Sequence, residues 1–170
     1  RPDVNAAERI PSADRTGFEL PFHAGAATHG QPLELVVRGR LADGTLDAVC
    51  SDHAPVDEDA KQVPFGEAAP GATGLELLLP LVLKWGGELK LPLAKSLAVV
   101  TARPASILGV EGGRLATGLP ADLCLFDPKA VWVVSAVSLA SQGHNTPYLG
   151  LSLEGRAVRT LVDGRVVHSA

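Results

Sequence analysis

The spacing of apolar and polar positions changes character twice along this chain. Residues 1–32 hold no sustained period. Pro2, Pro11, Pro21 and Pro32 punctuate Ala- and Gly-rich stretches such as His23-Ala24-Gly25-Ala26-Ala27-Thr28-His29-Gly30, which read as loop. Leu33, Val36, Val37 and Leu41 then fall close to a helical spacing, and Asp43-Gly44 ends that run. Leu46-Asp47-Ala48-Val49-Cys50 is a short apolar run of strand length, followed over residues 51–72 by a long polar loop. From Thr73 to Gly86-Gly87 the pattern is helical and almost wholly apolar, with Pro80 expected to kink or split the helix. Pro92 to Val100 and Pro104 to Leu108 read as two short helices with Pro near the start of each, and Gly109 as the C-terminal cap of the second.

Beyond Gly112-Gly113 the pattern becomes strand-like. Ala121 to Asp127 lies between Pro120 and Pro128, and Val131 to Val134 reads as a further strand. Val158 to Val162, the Asp163-Gly164 turn and Arg165-Val166-Val167 form a strong hairpin signal. The chain therefore reads as an α/β segment followed by a small β module, without an internal repeat.

Where the first buried strand stops, Ser51-Asp52-His53-Ala54-Pro55 begins. A strand that ends on an acidic residue sets a carboxylate at the end of the barrel or sheet where α/β folds carry their chemistry. Pro55 cannot continue a ladder and biases Ala54 towards an extended backbone, so Asp52 is held at the strand end. An Asp that merely terminates a strand and caps a loop is the ordinary alternative.

Composition narrows the class. At 170 residues, 46% of them hydrophobic, one packed domain is the usual outcome, and with aromatics at 4% its core must rest on Leu, Val and Ala. The net charge of −4 and the lack of a basic cluster argue against a nucleic-acid partner. Cys50 and Cys124 lie in apolar runs and read as small buried hydrophobes of a reducing compartment. No apolar run has the length of a membrane span or the form of a signal peptide, so a cytoplasmic protein with no membrane partner is expected. The chain opens at Arg1 rather than Met, and a fragment or processed product is expected.

Taken as a set, several motifs resemble the C-terminal half of a dihydroorotase of the amidohydrolase superfamily. They are Asp43-Gly44-Thr45-Leu46-Asp47-Ala48 leading into Ser51-Asp52-His53-Ala54-Pro55, and Pro70-Gly71-Ala72-Thr73-Gly74-Leu75-Glu76. Gly113-Arg114-Leu115-Ala116, Gly118-Leu119-Pro120-Ala121-Asp122-Leu123, Asn145-Thr146-Pro147 and Val162-Asp163-Gly164-Arg165-Val166-Val167 follow in order, so the resemblance spans residues 41–168.

The resemblance implies an α/β fold: the C-terminal part of a (β/α)8 metal-dependent hydrolase barrel, followed by strands of a small β-sandwich. Residues 1–40 would be an unmatched loop-rich segment, 41–112 the end of the barrel and 113–170 the sandwich portion. It further implies one or two zinc ions in the complete protein, with Asp52 as metal ligand and general base. Pro70 and Gly71 would line the substrate, Gly allowing close approach. The implied reaction is the reversible hydrolysis of dihydroorotate to N-carbamoyl-aspartate in pyrimidine biosynthesis. A small-molecule substrate and a homo-oligomer are the implied partners.

Val56 stands where the family usually carries a second His after Ala-Pro, one that helps hold the substrate carboxylate. That departure keeps two alternatives open. One is a catalytically silent dihydroorotase-like subunit that scaffolds aspartate transcarbamoylase; the other is an allantoinase- or hydantoinase-like hydrolase. The family's His-x-His pair, lysine and middle-barrel histidines have no counterpart here, and His23 and His29, six apart in a loop, are a poor substitute. An isolated chain of these residues is accordingly expected to be inactive.

Other polar residues read as structural. His53 is expected to hydrogen-bond rather than ligate, His144 and Asn145 to shape a surface turn and His168 to be exposed, while Asp122 resembles the family's structural Asp in the sandwich. The Asp57-Glu58-Asp59 run reads as solvated, and Trp85 and Trp132 as packing residues.

Overall fold

The computed structural model describes residues 38–170 apart from residue 65, together with the backbone of 18–19, 27–28 and 31–37. His23 and His29 lie outside the described residues. Two units are distinguished: residues 1–50 with 85–119, and residues 51–84 with 120–170.

In the first unit, two-residue strands appear where only loop was expected: β1 (Phe18–Glu19), β2 (Ala27–Thr28) and β3 (Gln31–Pro32). The expected helix forms as α1 (Leu33–Asp43). Gly44 takes φ +87° just beyond it, and Thr45 N–H donates to Asp43 Oδ1 at 2.8 Å. Hydrogen bonds from Thr45 hold the Asp43 carboxyl below the usual carboxylate range. The apolar run after it yields a strand shorter than expected, β4 (Val49–Cys50), paired in parallel with β1.

The long apolar helix begins as a 3-10 turn over Leu75–Leu77 and continues as α2 (Leu78–Glu88), its residues from Trp85 onward belonging to the first unit. Pro80 does not split the α-helix. It falls in the first α-helical turn, where a backbone N–H has no intrahelical partner to lose. Helices α3 (Leu93–Ala98) and α4 (Ala102–Leu108) follow, the latter closed by Gly109 at φ +66° as expected. Gly86 is small for a reason: a Cβ there would meet Ser96 Cβ at 2.6 Å. Leu41, Leu46, Ala48, Val49, Trp85, Val99 and Ala105 are the buried apolar residues of this unit. Val49 N–H donates to Val99 O at 3.0 Å and the Trp85 indole N–H to Arg38 O at 3.2 Å, one backbone and one side-chain bond tying strand and helices.

The second unit is built on a three-stranded antiparallel sheet of β5 (Leu123–Val133), β6 (Ser152–Val162) and β7 (Arg165–Ser169), in that order. The two strands expected around Pro128 are one. Pro128 cannot donate to a ladder, and the register jumps from Asp127↔Arg156 to Val131↔Glu154, so residues 128–130 bulge opposite Gly155. Lys129 N–H donates to Asp127 Oδ1 at 2.8 Å across the bulge. The expected hairpin turn has positive φ at both Asp163 (49°) and Gly164 (76°), the geometry of a type I′ turn. Asp122 braces it, its Oδ1 accepting Asp163 N–H at 2.8 Å. Leu77, Val134, Leu139 and Leu153 form the core, with Leu81, Trp132 and Tyr148 packed on it.

Both cysteines correct the sequence reading, being free and exposed rather than buried. Cys50 is the last residue of β4, and Cys124 lies on β5, where Leu125, Val131 and Val133 are exposed as well. No helix among the described residues is long and apolar enough to cross a membrane.

Candidate active site

Three segments of the second unit meet around Asp52. The first is residues 51–56, directly after β4; the second is the turn at 70–76 that leads into α2; the third is the loop at 140–146 between β5 and β6. His53 and Ala72 form an isolated parallel bridge. Because the bridge is parallel, Asp52 and Gly71 each precede their bridged neighbour, which sets the carboxylate-bearing residue beside the glycine turn. Ala54 N–H completes the bridge by donating to Ala72 O at 3.0 Å.

Asp52 is exposed and has φ +45°, a left-handed conformation that costs most residues free energy and that Asp tolerates better than β-branched side chains. His53 is tied to the turn at 74–75. Its Nδ1 lies 3.2 Å from both Gly74 N and Leu75 N and accepts from these N–H groups at the start of the 3-10 turn. An imidazole that accepts at Nδ1 carries its proton on Nε2. The expected hydrogen-bonding role for His53 is therefore the one observed.

Gly71, at φ +119°, accepts no substitute easily: a Cβ would stand 2.5 Å from Ala54 O and 3.2 Å from Val56 Cγ2. Val56 thus packs against the turn at the place where a side chain on residue 71 would otherwise go. Pro70 is exposed beside it. Thr73 is fully buried; its hydroxyl donates to Gly143 O and its N–H to Asn145 O at 2.7 Å. Asn145 Nδ2 donates to Gly71 O at 3.0 Å. Glu76 caps the same loop, its carboxylate accepting Ala140 N–H and Ser141 N–H at 2.9–3.0 Å.

The sequence reading named Asp52, Pro70 and Gly71 and missed Thr73, Glu76 and Asn145. The Asn145-Thr146-Pro147 motif was visible, but a surface turn was the only role local pattern could give it. His144 faces Glu58, Nδ1 to Oε1 at 3.9 Å. Among the described residues no three His, Cys, Asp or Glu side chains converge as a metal site would require, so these residues alone do not fit a zinc ion.

The family model described as "Amidohydrolase family" matches residues 25–168. The chain belongs to the amidohydrolase family. The match begins upstream of residue 41, where the recognisable motifs start. Among curated amidohydrolases, a dihydroorotase of Geotalea daltonii is 48% identical over 132 residues, 78% of this chain and 31% of that protein. A dihydroorotase of Geobacter sp. (strain M21) is 43% identical over 134 residues, 79% of this chain and 32% of that protein. The chain thus spans about a third of the length of the dihydroorotases it matches. Of solved structures, the L-hydantoinase (dihydropyrimidinase) from Arthrobacter aurescens superposes with a TM-score of 0.73 at 29% identity, over 81% of this chain and 32% of that one. The D-hydantoinase (dihydropyrimidinase) from Thermus sp. gives 0.74 at 22% identity over 96% and 36%, a likeness of fold alone. An amidohydrolase of this kind fits the expectation of a barrel hydrolase, of which the chain carries a part.

Proposed function

We propose that this chain is the C-terminal part of a zinc-dependent dihydroorotase, which interconverts dihydroorotate and N-carbamoyl-aspartate in the cytoplasm. The observation that carries the proposal is the 48% identity to a dihydroorotase over most of the chain, with Asp52 set in register beside Gly71. In this reading residues 1–40 precede the barrel portion, 41–112 end the barrel and 113–170 contribute to the sandwich.

Asp52 acts as a general base. Its carboxylate takes a proton as water adds to the ring amide carbonyl, and the ring nitrogen gains a proton as the C–N bond breaks. Pro70 and Gly71 meet the ring, and the fixed backbone of the turn orients it for attack. Asp52 would also be one donor to the metal, and the remaining donors would come from outside the described residues. In this reading the chain lacks most of the barrel strands, and alone it is expected neither to close a barrel nor to hold a binuclear site.

Val56 favours a second reading, a silent dihydroorotase-like subunit of an assembly with aspartate transcarbamoylase. An apolar side chain packed on the substrate turn offers no hydrogen bond to a carboxylate, and such a bond contributes about 1.5–3 kcal/mol. Turnover by the complete homo-oligomeric polypeptide decides between these readings. Hydrolysis of dihydroorotate in preference to hydantoin and allantoin is the expected result. Preference for hydantoin or allantoin would move the protein to its cyclic-amide relatives, and no turnover of any of the three would support the silent subunit.

A further inference from the structure

We infer that Asn145 is a positioning residue, which fixes the substrate-facing turn at Gly71 in register with the Asp52 segment. The substrate half of this inference rests on Pro70 and Gly71 lining the ring, as proposed above; the hydrogen-bonded half does not.

Asn145 lies far along the chain from both partners, in the loop between β5 and β6, yet it brackets Ala72 from both sides. Its amide Nδ2 donates to the carbonyl before Ala72, Gly71 O, at 3.0 Å. Its own carbonyl accepts from the N–H after Ala72, that of Thr73, at 2.7 Å. On the opposite side Ala72 O accepts Ala54 N–H at 3.0 Å. Residues 71–73 are thereby stitched between the Asp52 segment and the Asn145 loop.

The third side of the triangle is closed by packing. A Cβ on Gly143 would meet Pro55 Cβ at 2.7 Å and Val56 N at 3.1 Å. Gly71 has φ +119°, in a region glycine enters freely among several others, so its own preference does not select this conformation and a neighbour has to. The Asn145 amide supplies that restraint and leaves Gly71 O committed to protein rather than to substrate. Only the amide nitrogen can face Gly71 O, since two carbonyl oxygens would repel. Glu76 anchors the loop that carries Asn145 by capping Ala140 and Ser141, so the restraint is delivered from a fixed base.

The test uses Asn145→Asp, which keeps the shape and removes the donor, and Asn145→Ala, which removes it without adding a charge. The first readout is amide hydrogen exchange in the full chain. Exchange at Ala54 and Thr73 is expected to accelerate about fivefold, the effect of one ordinary hydrogen bond, while amides of the β5–β6 ladder keep their native rates. The second readout is steady-state kinetics of the complete polypeptide on dihydroorotate, where KM is expected to rise about fivefold with kcat little changed. Native exchange at Ala54 and Thr73 in a folded variant overturns the inference, as does a loss confined to kcat. Should Asn145→Asp fail to fold, Asn145→Ala carries both readouts. If the unmutated protein does not turn over dihydroorotate, the substrate reading fails and the exchange rates alone decide the role of Asn145.

Discussion

Asp52 shows at the scale of one residue how a site is held against local preference. Its φ of +45° places it where an L side chain crowds its own backbone, and the neighbouring bridge at His53 and Ala72 keeps it there. Asp52→Gly relieves that crowding and Asp52→Ala does not. The glycine variant should unfold in urea with a stability about 1 kcal/mol above that of the alanine variant. Equal stabilities would show that the conformation carries no strain. Val56 is the second informative residue. A histidine there, bonded to the substrate carboxylate, should lower the KM for dihydroorotate about tenfold in the complete polypeptide; an unchanged KM in Val56→His would detach this position from the substrate.

At this scale the sequence was legible wherever a role is set locally. The position of Asp52 just beyond a strand end and the hydrogen-bonding role of His53 follow from neighbours in the chain, whereas the structural role of Asp122, whose partner Asp163 lies 41 positions away, came only with the family resemblance. Asn145 was not legible. Its partner Gly71 lies 74 positions away, and no spacing rule relates two loops that meet only after the fold has formed. The cysteines fail for a related reason: an apolar run predicts a strand but not which of its faces is covered.

Among the elements, turns and caps were read more securely than the elements' lengths. The Asp163-Gly164 hairpin and the Gly109 cap need specific backbone geometry that few residues supply. Pro80 was misjudged because its effect depends on where the helix starts, and the preceding 3-10 turn shifts that start so that Pro80 lies in the first α-helical turn. The β5–β6 pairing similarly runs through Pro128 by means of a bulge opposite Gly155.

Gly155 has φ +101°, where an L side chain is strained, and a Cβ on it would also displace the end of the Leu83 side chain. Gly155→Ala should therefore cost about 2 kcal/mol or more in chemical denaturation, from overpacking and backbone strain together. Gly164→Asn is the contrasting case. Asn tolerates positive φ better than most residues with a Cβ, and the nearest neighbour of an added Cβ is Ala121 Cβ at 3.8 Å. It should cost well under half as much, and comparable losses at the two sites would contradict this account of the sheet.

For the whole molecule, the family match reaches residues 25–168, yet the chain spans only about a third of the dihydroorotases it resembles. The described residues bring together a carboxylate, a glycine turn and the Asn145 loop, and no three of their His, Cys, Asp or Glu side chains converge. The chemistry proposed for Asp52 belongs to the complete polypeptide, and Asp52→Asn tests it while keeping size and backbone preference. In the complete polypeptide, with its melting temperature unchanged, this substitution is predicted to lower dihydroorotate turnover about a thousandfold, the scale on which a general base acts. Turnover within a few-fold of the native rate in a folded Asp52→Asn protein would contradict the account and leave this aspartate a residue of the fold alone.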